Sequence, residues 1–200
     1  MSMRPQRSDM RIFQRFDWGR LARIHALDDR QYRDHQVCVP ALRGGGSTTV
    51  ALKDCPQLLD AKRTLLGTEQ ERWLGPGWDT TRPWNLVAQQ TLMARFAWSD
   101  PHGADGGRYW TDGWSGYAPA RQRLLSGLAD KRLGGAVVLG GDVHAHYVAD
   151  LKADFDDPRS ATLATEICGT SISSGGRHQA DVDAARPFNP HLHYARSDQR

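Results

Sequence analysis

The stretch AVVLGGDVHAHYVADL, residues 136–151, decides how this chain folds. It opens as a short run of apolar residues and closes with an aspartate and two histidines spaced by single residues. A strand with no polar alternation predicts burial on both faces, the signature of a central strand in an α/β sheet. In such sheets, ligands bind beyond the carboxyl ends of the strands. Asp142 and His144 fall at that place. Gly140 and Gly141 carry no side chains, so the backbone can turn sharply there and other groups can approach. A hard carboxylate oxygen beside an imidazole nitrogen suits a transition-metal ion. His146 shares the alternation of His144 and is expected on the same face. The competing reading is a polar turn holding two histidines and no ion.

Outward from this stretch the chain alternates strands and helices. MRIFQRFDWG reads as a strand with Ile12, Phe16 and Trp18 on one side. ARIHALDDRQYR holds a short strand that runs into Asp28, Asp29 and Arg30. TEQERWL predicts a helix opened by a capping box between Thr68 and Glu71, with Gly75-Pro76-Gly77 ending it. WNLVAQQTLM predicts a further strand, and SDPHGADGGRYWTDGWSGY a long loop, of a size that is more often functional than idle. Pro119 opens an amphipathic helix with Leu124, Leu125, Leu128 and Leu133 on its apolar side. YVADLKADF and TLATEICGTSISS make the C-terminal half strand-rich. The expected class is therefore α/β with a mixed sheet.

Composition excludes several functions. The chain has 200 residues, 39% hydrophobic and 24% charged, with seven tryptophans and a net charge of +3. That suits a folded domain and argues against disorder. Charges of both signs are mixed, so there is no basic stripe for nucleic acid. No apolar run approaches the roughly 18 residues of a membrane span. The N-terminal MSMRPQRSDMRIFQRF has no apolar core of a signal peptide. Cys38 and Cys55 flank RGGGSTTVALKD and are a disulfide candidate, with two ordinary thiols as the alternative; Cys168 is left over.

Other patterns carry less. RGGGST has no following lysine and is not a phosphate-binding P-loop. GWSGY has the wrong glycine spacing around Ser115 for a nucleophile elbow. Trp110 and Asp112 can edge a pocket, or Asp112 can simply hold its own turn. Asp28 and Arg30 can orient a phosphate or form a structural ion pair. Glu166 is placed mid-strand, facing solvent or an arginine, and His178, His191 and His193 are expected to be solvated.

Six blocks stand in an order that resembles the PhoD-like alkaline phosphatases, within the calcineurin-like metallophosphoesterase group. They are LDDRQYRDHQVC, RTLLGTEQERWL, WNLVAQQTLM, YWTDGWSGYAPARQRLL, VVLGGDVHAHYVADL and ATEICGTSISSGG. The resemblance runs from about Met10 to His193. It implies a four-layer α/β/β/α sandwich with mixed sheets, hydrolysis of phosphate monoesters and diesters, a site holding Fe3+ and Ca2+ or other divalent metals, and a periplasmic or secreted location. Carried onto this chain, GGDVHAH implies Asp142 and His144 as metal ligands, with His144 also catalytic and His146 of second rank. LDDRQYR implies Arg30 as a catalytic group and Asp28 near the substrate. The WTDGW loop implies Trp110 and Asp112 at the substrate entrance.

The chain departs from the family at its start. Blocks with a Gly-Asp-Tyr segment and an Asp-His-Glu segment, which carry most ligands and the iron-binding cysteine, have no counterpart here. The expectation is one partial domain over residues 1–200, the C-terminal portion of the catalytic domain cut at both ends and needing its N-terminal half. Two alternatives remain. One is a non-catalytic α/β module from a split or decayed gene. The other is a small mononuclear site built from Asp142, His144 and His146.

Overall fold

The computed structural model describes residues 10–41, 48–131 and 133–197. The glycine-rich stretch at 43–46 lies outside the described residues. Among the described residues, nine strands and three α-helices follow in the order β1 (Gln14–Trp18), β2 (Ala22–Ala26), β3 (Thr49–Ala51), α1 (Gly67–Leu74), β4 (Trp84–Ala88), β5 (Arg108–Trp110), α2 (Ala118–Asp130), β6 (Ala136–Gly140), β7 (His146–Lys152), β8 (Thr162–Cys168), α3 (Gln179–Ala185) and β9 (Leu192–Arg196). Seven strands form one mixed sheet in the order β1-β2-β4-β6-β8-β7-β9, and β3 pairs with β5 in a two-stranded sheet. β2, β4, β6 and β8 run parallel, while β1 and the β7–β9 side are antiparallel. The expected mixed α/β fold is present.

Alternation explains the layering. Val87, Val138, Ala149, Ala164 and Cys168 point to one face and pack with Leu74, Leu124, Leu125, Leu128 and Val182 of the helices in one core cluster. The opposite face is apolar but open. Phe16 lies beside Ile24, Ile24 beside Leu86 and Leu86 beside Val137. A second row runs Ala88, Leu139, Ile167, Val148, Tyr194. Leu139 is 41% exposed, Ile167 49% and Tyr194 48%. The expectation that β6 is buried on both faces is therefore corrected: the helices cover one face only, and the sequence registers apolar residues on both.

Three local expectations also change. The helix at Gly67–Leu74 begins one residue before the expected cap Thr68, and its first turn is served by Thr64 instead. The Thr64 hydroxyl accepts the Gly67 N–H at 2.9 Å and donates to the Glu71 carboxylate. The long glycine-rich loop contains β5, held by pairing with β3, with Thr49 opposite Trp110. The polar C-terminal stretch is ordered as α3 and β9, and His191 within it is buried with its Nε2 on the Arg95 carbonyl at 2.7 Å. Cys38 and Cys55 are joined in a disulfide, and Cys168 is free and buried.

Candidate active site

The turn after β6 is set by close backbone packing. A Cβ on Gly140 would sit 2.3 Å from the Thr91 carbonyl oxygen, so no larger residue fits there. Asp142 and His144 both adopt left-handed backbone, with φ of +64° and +54°. Non-glycine residues take that region uncommonly, and aspartate and histidine are among those that tolerate it. The Val143 N–H closes a tight turn on the Gly141 carbonyl at 2.7 Å. His144 is then clamped from the other side. Its Nδ1 lies 2.8 Å from the Gly175 carbonyl, and a Cβ on Gly176 would stand 2.3 Å from the His144 carbonyl oxygen. A carbonyl can only accept, so Nδ1 carries a proton, and in the neutral ring Nε2 is the nitrogen with the lone pair.

The facing wall comes from the loop after β2. Gln70 of α1 is buried between Leu66 and Leu74 and grips Asp28 by both backbone groups. The Asp28 N–H donates to the Gln70 Oε1 at 2.8 Å, and the Gln70 Nε2 donates to the Asp28 carbonyl at 2.9 Å. The Asp28 carboxylate turns inward. It accepts the backbone N–H groups of Arg30 at 2.9 Å and Gln31 at 3.0 Å, and the Gln31 side chain at 2.6 Å. Asp28, 1% exposed, thus shapes the turn that presents Arg30.

Arg30 spans two acids. It donates to Asp142 on one side and lies 3.2 Å from Asp112 on the other. Asp112 also accepts from Arg33 and Gln36. A chain of alternating charge, Asp142–Arg30–Asp112–Arg33, therefore links three separate segments. Behind it lie two buried carboxyls. Burial raises Asp29 to about 7 against a hydrogen bond from the Gln90 N–H, and raises Glu166 to about 7 against those from Met93 and Ala94. Glu166 accepts the Met93 N–H at 2.7 Å and the Ala94 N–H at 2.6 Å, so it faces neither solvent nor an arginine partner.

Asp142 and His144 line a cavity of about 400 Å³ whose walls also include Phe96, Trp98, Trp110 and Tyr147. The structure thus brings Asp142, His144 and Trp110 onto one cavity, with Arg30 and Asp112 linked to it through the ion pair to Asp142. His146 does not line it. The left-handed backbone at His144 breaks the strand alternation, and His146 is instead the first residue of β7, opposite Arg196. Among the described residues no group of three or more His, Cys, Asp or Glu is placed to hold a metal. Sequence reasoning missed Asp29, Arg33 and Gln70. For Gln70 the signal was present: Leu66, Gln70 and Leu74 recur at helical spacing, which predicts an inward glutamine.

A mixed α/β sheet with an acid–histidine turn beyond a central parallel strand puts that turn where open sheets of this class place their ligand sites. The chain belongs to the PhoD-like phosphatase family, whose pattern matches residues 1–200. It is 36% identical over 198 residues to alkaline phosphatase D of Bacillus subtilis (strain 168), covering 97% of this chain and 32% of that protein. A solved structure of PhoD superposes with a TM-score of 0.81 at 34% identity, covering 96% of this chain and 35% of that chain. The chain spans about a third of the length of these relatives.

Proposed function

We propose that the chain supplies the C-terminal part of the active site of a metal-dependent phosphoesterase of the alkaline phosphatase D type, acting on phosphate monoesters and diesters. The observation that carries this reading is the placement of Asp142 and His144 in one strained turn beyond β6, with Arg30 paired to Asp142.

The donor set fits a metal in kind. Asp142 offers a hard oxygen, and the hydrogen bond at Nδ1 leaves His144 with Nε2 as the donor, an arrangement common in metal-ligating histidines. Two donors are fewer than the four to eight such ions take, so the remaining ligands come from the rest of the enzyme. Iron and calcium, when bound, would activate water and neutralise phosphoryl charge. Arg30 is the residue of this chain placed to stabilise negative charge on the phosphoryl oxygens. Asp112, itself held by Arg33, keeps its guanidinium in place, and Asp28 fixes its backbone. Trp110 forms part of the rim that shields the reacting end from water.

Two further features support the wider reading. The open apolar face of the seven-stranded sheet suits a second sheet packed on it, as the four-layer sandwich requires. The Cys38–Cys55 disulfide suits an oxidising compartment, the periplasm or the cell exterior. Among the described residues no helix is long and apolar enough to cross a membrane.

Co-expression with the N-terminal portion of the Bacillus subtilis relative tests the reading. The chain alone is expected to be poorly stable and inactive toward 4-nitrophenyl phosphate and bis(4-nitrophenyl) phosphate. The co-purified pair is expected to hydrolyse both, and to lose activity on chelation. A co-purified, metal-loaded pair without hydrolysis overturns the proposal in favour of a non-catalytic module.

A further inference from the structure

Arg121, in the first turn of α2, is a buried cation without a counter-ion. It is 6% exposed. Among the described residues its Nη1 has no hydrogen-bond partner, and no carboxylate forms an ion pair with it. The carboxylates that feel its charge, Glu166 and Asp156, are engaged elsewhere. Glu166 accepts the Met93 and Ala94 N–H groups, and Asp156 pairs with Arg95. Burial, and then the neighbouring Arg95, lower the Arg121 pKa to about 10, which leaves it charged at neutral pH. A charge taken out of water is costly unless it is paired, and arginine does not escape by giving up its proton.

The space beside Arg121 is a built one. Arg121 lines a cavity of about 390 Å³, within the range of small-molecule sites, roughly 300–1,000 Å³. The cavity lies between the start of α2, the segment 52–59 and the turn after β7 at 154–156, and neither Asp142 nor His144 lines it. The buried Phe155 ring faces both guanidinium groups, with Arg121 4.9 Å and Arg95 5.6 Å from its centroid. Leu58 and Tyr109, also buried, add to the wall. Arg95 donates to Asp156 and to the Phe155 carbonyl at 2.7 Å. Arg121 is therefore the cation of this cavity that no acid matches. Asp154 stands on the same wall, exposed.

We infer that this cavity is a binding site for a small monocarboxylate, whose oxygens accept from the Arg121 guanidinium and whose body rests against Phe155 and Tyr109. The planar fork of arginine matches the two oxygens of a carboxylate. One unmatched positive charge, with Asp154 on the wall, disfavours a dianion such as phosphate, because like charges brought together cost affinity. A free acid and an Asp or Glu side chain from the rest of the enzyme present the same group. The site stands apart from the acid–histidine turn and does not rest on the phosphoesterase reading.

Thermal melts at pH 8 with benzoate as the probe test this, on the chain and on the co-purified pair. Benzamide, the neutral shape, and inorganic phosphate are the comparisons. A ligand of the folded state raises Tm with its concentration, and binding here is the part of the rise that Arg121→Met removes. Benzoate is expected to bind about tenfold or more tightly than benzamide, and by the same margin over phosphate. Arg121→Met is expected to abolish the benzoate shift. Because Arg121 is packed in the interior, Asp154→Asn at the exposed wall is measured beside it and is expected to tighten benzoate about twofold. A shift in the pair identifies a free acid as the ligand. A shift in the chain that the pair lacks means that the rest of the enzyme fills the cavity with its own carboxylate. No benzoate shift in either preparation, equal binding of benzamide or phosphate, a shift that survives Arg121→Met, or an Asp154→Asn variant that binds benzoate no better overturns the inference.

Discussion

Arg30 and Asp142, 112 residues apart in sequence, form an ion pair that closes the loop after β2 onto the turn after β6. The same guanidinium also reaches Asp112 from a third segment. Arg30 is thus positioned by acids on both sides, and its planar fork serves both at once. Arg30→Ala in the assembled enzyme is expected to lower kcat/KM by about a hundredfold, in the range for loss of one charge-stabilising donor. Arg30→Lys is expected to recover little, since an ammonium cannot bridge two carboxylates in the same geometry. Steady-state kinetics on both variants decide this. A lysine variant with full activity would remove the bridging role.

Asp142 carries a separate expectation. Asp142→Ala in the assembled enzyme should abolish hydrolysis and lower the bound metal per protein. Asp142→Asn keeps the shape and the left-handed backbone but loses the charge, so it should fold normally and still lose metal. Metal analysis beside activity measures both. Unchanged metal in either variant would remove Asp142 from the ligand set.

The Cys38–Cys55 bridge closes a segment with a sequence separation of 17 that contains β3. Closing a loop of that size stabilises a chain by about 3 kcal/mol. Reduction is therefore expected to lower Tm by roughly 6–12 °C for a protein of this length. Thermal melts with and without reductant, checked by alkylation at Cys38 and Cys55, report it.

Glu166 gives a pH signature. Burial raises its folded-state value to about 7, above the ordinary 4.5. A raised acid stabilises fully below its unfolded pKa, and that contribution is lost as pH rises through the folded pKa. The window here is pH 4.5 to 7. Glu166→Gln leaves one of the two N–H groups, Met93 or Ala94, without an acceptor, at a cost of about 1–3 kcal/mol. It also removes the pH-dependent loss, so its deficit against the parent should shrink between pH 5 and pH 8. Urea melts at those two values test the sign. His25 and His191, each lowered to about 4 by burial, are present in both proteins and cancel from the comparison.

Much of the layout was legible because it is local. The apolar run before Gly140 and Gly141 marked β6 and the turn, and Pro119 marked the start of α2. What escaped depends on partners distant in sequence. Glu166 is buried because the N–H groups of Met93 and Ala94, more than seventy residues earlier, meet its carboxylate. β5 is three residues long and exists because β3 pairs with it, which no alternation in RYW announces. His144 and His146 were placed on one face by strand periodicity, and a single left-handed residue undid that inference. The ring-lined cavity was invisible for a similar reason: Phe96 and Trp98 precede β5, Tyr147 is in β7 and Arg177 precedes α3.

The left-handed backbone at Asp142 also limits how this protein can change over generations. Residues that adopt such a backbone at modest cost are few, chiefly glycine, asparagine and aspartate. Of these only aspartate brings a charged oxygen. A glutamate has the same charge on a longer stem but tolerates the backbone poorly. The position is therefore filtered twice, once by folding and once by chemistry, and the two filters share a single residue. A lineage that loses the chemistry should drift first to asparagine or glycine at position 142, which would make that residue a readable marker of decay.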